Sequence, residues 1–339
     1  MKKLLVLVVV GLLALTGLTG CSAKTYKFGT GSFTEVSGRA AVAAVEATAT
    51  TAAVEAAAGR VRVTSTYAAV LLDDAGKIVY VDIDSAENEG TFDAMGAVVA
   101  AEAAPTKTEK ADAYGMKGNS AIGKEWFEQI EALEAYFIGK TIEEVKGIEV
   151  DADAVPVAED LKASVYVGID AYIAAVEAAV KNAVEVKGVA KVGVGSVTSV
   201  SGRAATADAA GRIETNVTFM GVAMDKDGKV LVAQLDVAQN QGTFDTMGAI
   251  VKAEAAPTKK EKGADYGMKG ASAIGKEWFE QAAGLEAYLV GKTAAEVEAI
   301  EIDAEGVPVA EDLKTSISVG IDEYLAAFAK AVANAVEVK

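Results

Sequence analysis

The chain of 339 residues has no histidine and one cysteine, Cys21. The first absence removes Ser-His-Asp and Cys-His catalytic sets and every imidazole-ligated metal site. The second removes intrachain disulfides, cysteine-ligated clusters and haem attached through C-x-x-C-H. Any metal would have to be a hard cation held by carboxylates and carbonyls, and the pattern leads us to expect no metal. Aromatic residues make up only 6% of the chain, although 51% of it is apolar. The apolar set is mostly Ala and Val, which builds a core of small side chains rather than a disordered chain. Basic residues are outnumbered 32 to 49, for a net charge of −17. Such a surface argues against nucleic acid, which needs Lys and Arg to displace counterions, and against lying flat on anionic lipid.

What is present is present twice. Tyr114–Gln129 returns as Tyr266–Gln281 with one change of type, Asn119 to Ala271, and each copy holds one of the two tryptophans, Trp126 and Trp278. The register runs without a gap from Gly59/Gly211 to Lys187/Lys339. Identity over so long a register means a duplicated, domain-sized unit. Upstream, Phe28-Gly29-Thr30-Gly31-Ser32 matches Val192-Gly193-Val194-Gly195-Ser196 in a shifted register. The shift places twelve extra residues of the first copy inside the Ala/Val/Thr/Glu-rich run Ala40–Ala58, whose composition fits helix or extended chain alike. The Gly-x-Gly-Ser pieces lack a third glycine and a clear strand-to-helix setting, so they are not read as phosphate loops.

At the N-terminus a basic start, Met1-Lys2-Lys3, precedes the apolar run Leu4–Leu15 and then Leu18-Thr19-Gly20-Cys21. This reads as a secretory signal, too short and wrongly flanked for a membrane span. The lone cysteine directly after Leu-x-Gly resembles the lipobox of bacterial lipoproteins. That resemblance implies cleavage before Cys21, a diacylglyceryl thioether on it, and a cell-membrane lipid anchor facing the extracytoplasmic side. The chain then divides into a signal peptide (1–20), a lipidated tether (21–27), a first repeat (28–187) and a second (188–339).

Within each copy, Arg60–Leu72 reads as a strand, Asp73–Gly76 as a turn, and Val79, Val81 and Ile83 alternate with Tyr80, Asp82 and Asp84 as a second strand. Asp82 and Asp84 fail the calcium-loop pattern and are expected on a solvated face. Gly90–Lys110 is expected to be an irregular or partly extended connection. Ser120 is placed as the cap of a helix whose Ile122, Trp126, Ile130, Leu133 and Phe137 share one face, closed by Gly139. Thr141–Glu144 opens a short helix as a capping box. Ser164–Val167 reads as a short strand, and Asp170 caps a last helix with Ile173, Val176, Val180 and Val184 inward. The expected fold class is α+β: two tandem homologous domains, each a small antiparallel sheet with helices packed on it.

Tyr114-Gly115-Met116 and Tyr266-Gly267-Met268 stand ahead of that helix, with Trp126 and Trp278 just inside it. Glycine-shaped turns capping a core is one reading. A ligand loop is the other, with backbone N–H groups for a phosphate and an indole for a planar ring. Glu125 and Glu128 share a helix face in the manner of solvated glutamates.

The hairpin, the Tyr-Gly-Met loop and Glu125-Trp126-Phe127-Glu128-Gln129 together resemble the FMN-binding-domain lipoproteins of bacterial cell surfaces, over about Gly59–Ala183 and Gly211–Ala335. The resemblance implies FMN as cofactor, extracytoplasmic electron transfer and a redox partner protein. Some members of that family are instead precursors of peptide pheromones. The family attaches FMN through its phosphate to the last hydroxyl of a Ser/Thr-Gly-Ala-Ser/Thr segment. The matching residues are Ala163-Ser164-Val165-Tyr166 and Thr315-Ser316-Ile317-Ser318. Both lack the glycine, and only Ser318 keeps an aliphatic hydroxyl at the end. The expectation is an exported, lipid-anchored, flavin-associated redox or binding module, with Ser318, Tyr114, Gly115, Met116, Trp126, Tyr266, Gly267, Met268 and Trp278 as cofactor-binding candidates. With no nucleophile–base pair in view, it is not expected to be an enzyme in its own right. The alternatives are a cofactor-free structural or interaction lipoprotein and a pheromone precursor.

Overall fold

A computed structural model describes residues 24–338; the signal segment and Cys21 lie outside the described residues. The first half runs β1 (Thr25–Arg39), β2 (Gly59–Leu72), β3 (Ile78–Phe92), β4 (Val98–Ala101), α1 (Lys107–Lys110), α2 (Trp126–Phe137), α3 (Ile142–Lys146), α4 (Glu159–Lys162), α5 (Asp170–Lys181) and β5 (Val184–Lys187). The second half repeats it as β6 (Lys191–Arg203), β7 (Gly211–Met224), β8 (Val230–Phe244), β9 (Ile250–Ala253), α6 (Lys259–Lys262), α7 (Trp278–Leu289), α8 (Ala294–Glu298), α9 (Glu311–Lys314), α10 (Asp322–Ala333) and β10 (Val336–Glu337). Each half is a five-stranded antiparallel sheet with helices on it, in the orders β4-β3-β2-β1-β5 and β10-β6-β7-β8-β9.

The two sheets pack face to face. Along β2, Ala68, Val70 and Leu72 point to the helices, where Trp126, Ile130, Leu133, Phe137, Val176 and Ala179 meet them. Tyr67, Ala69 and Leu71 point the other way, onto Val192, Val194, Val217 and Phe219 of the second half. Burial on both faces is why β2 reads as a nearly continuous apolar run instead of an alternating one. Equivalent residues of the two copies meet each other: Tyr67 stacks on Phe219 at 5.8 Å, and Phe92 on Phe244 at 3.8 Å and 3°. Self-pairing of equivalent positions defines a pseudo-two-fold axis, the isologous geometry of a dimer folded into one chain. The result is four layers, helix–sheet–sheet–helix.

Several local expectations change. The glycine pairs lie inside strands: a Cβ on Gly29 would stand 2.1 Å from the Ala179 carbonyl oxygen, and one on Gly193 would stand 2.2 Å from that of Ala331. They let α5 and α10 lie directly on β1 and β6. β1 begins at Thr25, so its first three residues fall within the segment expected to be tether. The Ala40–Ala58 run is extended, a ribbon held by Val42–Ala57 and Val45–Val54 bridges. Gly90–Lys110 is partly extended, carrying the end of β3 and the whole of β4. Asp93 Oδ1 accepts the N–H groups of Met95 and Ala97 and so turns the chain from β3 into β4. α2 starts at Trp126 with Glu125 as its cap, five residues later than a Ser120 cap allows for. Ser164–Val167 forms no strand, α5 is preceded by Ile169 as its cap, and its buried face is Tyr172, Ala175, Val176 and Ala179, while Val184 belongs to β5.

Candidate functional site

Tyr114 ends a short 3-10 turn and Gly115 follows at φ +77, so the next two N–H groups point back toward the start of α2. They do not face an open anion site. Met116 and Lys117 both donate to the carboxylate of Glu125, each at 2.9 Å, and Met268 and Lys269 donate to Glu277 at 2.9 and 3.1 Å. The same glutamate caps α2, its own N–H donating to Glu128 at 2.8 Å. Glu125 and Glu128 are thus a capping pair; Glu125, only 3% exposed, is no solvated glutamate. A helix N-terminus seeks negative charge, and here the chain supplies its own. Glu125→Ala strands the Met116 and Lys117 N–H donors and removes the cap. It is expected to cost about 2 kcal/mol, read as a drop in the urea midpoint.

Trp126 is 1% exposed, and its indole N–H donates to the Tyr172 hydroxyl at 2.7 Å; Trp278 repeats this with Tyr324 at 2.9 Å. Burial pushes the Tyr324 hydroxyl up to about 12 and raises Tyr172 as well, so both stay protonated. The Lys107 ammonium lies over the Tyr114 and Trp126 rings at 5.1 and 5.5 Å, and Lys259 lies likewise over Tyr266 and Trp278. Behind them stands a residue that sequence reasoning missed. Gln129, fully buried, accepts the Tyr166 N–H at 2.8 Å and donates to Ser120 and the Lys124 carbonyl. Gln281 does the same for Ser318, whose hydroxyl sits 3.4 Å from Ser272. Of the nominated residues, Met116 meets Gln129 and Ser318 meets Gln281, while the tyrosine and tryptophan of each half lie under a lysine, in a closed knot. These residues do not fit a flavin: the indoles are covered and the loop donors are taken.

Open space lies elsewhere, between the halves. A cleft of about 660 Å³ runs from Tyr67, Tyr80, Asp82 and Glu134 to Lys330 and Asn334 of α10 and its C-terminal end. Asp82 and Asp84, expected on a solvated face, line it, and Asp84 is 9% exposed. Asp84 is well partnered, accepting from the Tyr67 hydroxyl at 3.0 Å and from the Ser85 and Thr108 N–H groups. The Ser196 hydroxyl reaches across from the second half to Tyr67 at 2.9 Å. Asp82 accepts from Tyr80 at 3.1 Å, and Glu134 accepts the Ile83 N–H at 2.6 Å. Burial first, and then the charge of Asp84, raises Asp82 to about 6. Burial and the charge of Asp82 push Glu134 well above the ordinary carboxylate range. Both acids bind protons more tightly in the fold than in the unfolded chain. Their contribution favours the fold at acid pH; that of Asp82 is lost as pH rises through about 6, and that of Glu134 as pH rises above the ordinary carboxylate range.

The pseudo-symmetric cleft, about 380 Å³, is built differently. Gln234 replaces Asp82 and bridges the halves, accepting from the Thr30 N–H at 2.7 Å and donating to the Asn182 carbonyl at 3.0 Å. Lys260 replaces Thr108, and its ammonium sits on Glu286, the equivalent of Glu134, at 2.5 Å. Phe219 replaces Tyr67, which leaves the buried Ser32 hydroxyl without a partner among the described residues. These three departures from the duplication were visible in the aligned copies, and they mark the cleft.

No family model matches the chain, and no solved structure matches it. A chlorophenol reductase of Desulfitobacterium hafniense is 39% identical over 97 residues, covering 24% of this chain and 29% of that protein. That relative carries the name of an enzyme, against the expectation of a non-enzymatic chain. The chain spans less than a third of its length.

Proposed function

We propose that this is an exported, lipid-anchored binding protein whose duplicated FMN-binding-like unit works without flavin, presenting a ligand cleft outside the membrane. The observation that carries this reading is the Glu125 carboxylate. It receives the Met116 and Lys117 N–H groups in the place where an FMN phosphate would be sought, and Glu277 repeats it. Ser318, the one candidate acceptor hydroxyl, is held by Gln281 and Ser272 in support of its own loop. The anchor rests on Cys21 and its preceding Leu-x-Gly.

Purified from membranes, the protein is expected to be colourless in the visible range and to have the mass of the chain from Cys21 onward plus its acyl groups. Cys21→Ser is expected to release it from the detergent phase to the aqueous phase. A flavin spectrum, or an FMN mass increment removed by Ser318→Ala, overturns the cofactor-free reading. A second reading, a redox module with a partner protein, is favoured by the reductase name of the partial relative. The same spectrum decides between the two.

A further inference from the structure

The two copies act as internal references for each other. In the second half, Glu286 accepts a backbone N–H from Leu235 at 2.6 Å and holds the Lys260 ammonium at 2.5 Å. In the first half, Glu134 accepts the equivalent N–H from Ile83 at the same 2.6 Å, but position 108 is threonine. The carboxylate is kept and its cation is missing. The imbalance is deepened on β3, where neutral Gln234 has its counterpart in the acid Asp82. The cleft around them is also the larger one, since Gln234 spans to Thr30 and Asn182 whereas Asp82 leaves that bridge unmade. Among the described residues Lys330 is the one cation lining the larger cleft, and Glu109 engages it at 2.5 Å.

We infer that the cleft between the halves binds a small aliphatic amine, with its ammonium on Glu134 and Asp82 where the second half seats its own Lys260. An ammonium head matches what Glu286 already accepts. Val81, Val194, Ala333 and Val336 offer an apolar wall for a short alkyl chain. Among the described residues no three acids converge as a metal-ligand set, so the geometry suits a hydrogen-bonding cation better than a coordinated one. This names the ligand class of the binding protein proposed above and rests on that reading. A colourless, anchored protein that ignores amines would sink this inference alone.

Titration calorimetry of the full chain with putrescine tests it. One saturable site per chain is expected, and Glu134→Gln and Asp82→Asn should each weaken binding by about tenfold or more. Glu286→Gln in the other half is expected to leave affinity unchanged. The decisive variant is Thr108→Lys. The Thr108 and Lys260 N–H groups bond Asp84 and Asp236 alike, at 3.1 and 3.0 Å, so the new side chain starts from the same place as Lys260. It is expected to fill the site from within, abolishing putrescine binding while raising the melting temperature. That rise shows that loss of binding is not loss of fold.

Affinity should also climb with pH, through about 6 for the proton on Asp82 and further as Glu134 gives up its own, because an ammonium must displace protons that the buried acids otherwise hold. Tyr80, Asp84, Glu131, Tyr67 and the Glu109–Lys330 pair are the other polar and charged groups around them. No heat of binding overturns the inference, as does binding that survives Thr108→Lys. So does a site that takes calcium or magnesium and is indifferent to putrescine.

Discussion

Gly29→Ala is expected to destabilise the protein by about 3 kcal/mol or more, since one methyl group there overpacks a helix–sheet contact that has no slack. The added Cβ would lie 2.1 Å from the Ala179 carbonyl oxygen and 2.8 Å from the Ala183 Cα. Both obstacles are backbone, so no side-chain rotation relieves them. Either α5 lifts from β1, uncovering Ala175, Val176 and Ala179, or the strand bends away from Leu71 and Val70 on β2. Gly193→Ala in the second half meets Ala331 and Ala335 in the same way and is expected to match it. Gly118→Ala is the control, because nothing stands within 4 Å of its added methyl and its φ lies outside the left-handed region. Urea unfolding reads all three, with a lower midpoint and an unchanged slope for the two strand glycines. A phosphate-loop role for these glycines makes the opposite forecast, a stable variant with altered anion binding. An unshifted midpoint for Gly29→Ala sinks the packing account.

That contrast shows what the chain disclosed in advance. The duplication was readable to the residue, because identical side chains in one register leave little room for another explanation. The α+β class and the hairpin from β2 to β3 followed from period-2 alternation and the Asp73–Gly76 turn. The same turn chemistry recurs at Asp93–Gly96, with the carboxylate again two and four residues before the N–H groups it accepts. It went unread because the residues after it are small and show no alternation. The strand β1 was hidden by its glycines, which lower strand propensity while serving the helix that lies on it.

The site was less legible than the fold, for a physical reason. Trp126, Tyr114 and Met116 carry distinctive side chains, and sequence patterns weight such residues heavily. In the fold they answer to a glutamine and a glutamate whose partners lie elsewhere in the chain: Gln129 meets Tyr166 across 37 positions. Tertiary hydrogen bonds of that span leave no periodic trace. The cleft was hidden for a further reason, since it is made by two sheets whose mutual packing no local pattern reports. The exchanges Tyr67/Phe219, Asp82/Gln234 and Thr108/Lys260 are legible when the copies are aligned, but they stand among many other differences that the cleft does not use.

Phe244→Ala is expected to lower the stability of the entire chain by about 3–5 kcal/mol, and the wild-type protein to melt in a single calorimetric transition. Phe244 is fully buried and stacks on Phe92 of the other half at 3.8 Å, among Val61, Val63 and Ile213 from both sheets. The halves are sewn along the same axis by paired backbone bonds, Ala41 N–H to the Gly248 carbonyl and Ala205 N–H to that of Gly96, each at 2.8 Å. Further along, Ser196 meets Tyr67 and Lys330 meets Glu109. A half that unfolded alone would expose the inner face of its partner's sheet, including Tyr67 or Phe219, to water. The loss at Phe244 must therefore be felt by both halves, and Phe92→Ala should give the same shift. Two separated transitions, with Phe244→Ala moving only one, would mean that the copies are independent beads. The cleft between them would then have no fixed walls, and a ligand site built from β3, α2 and α10 could not persist.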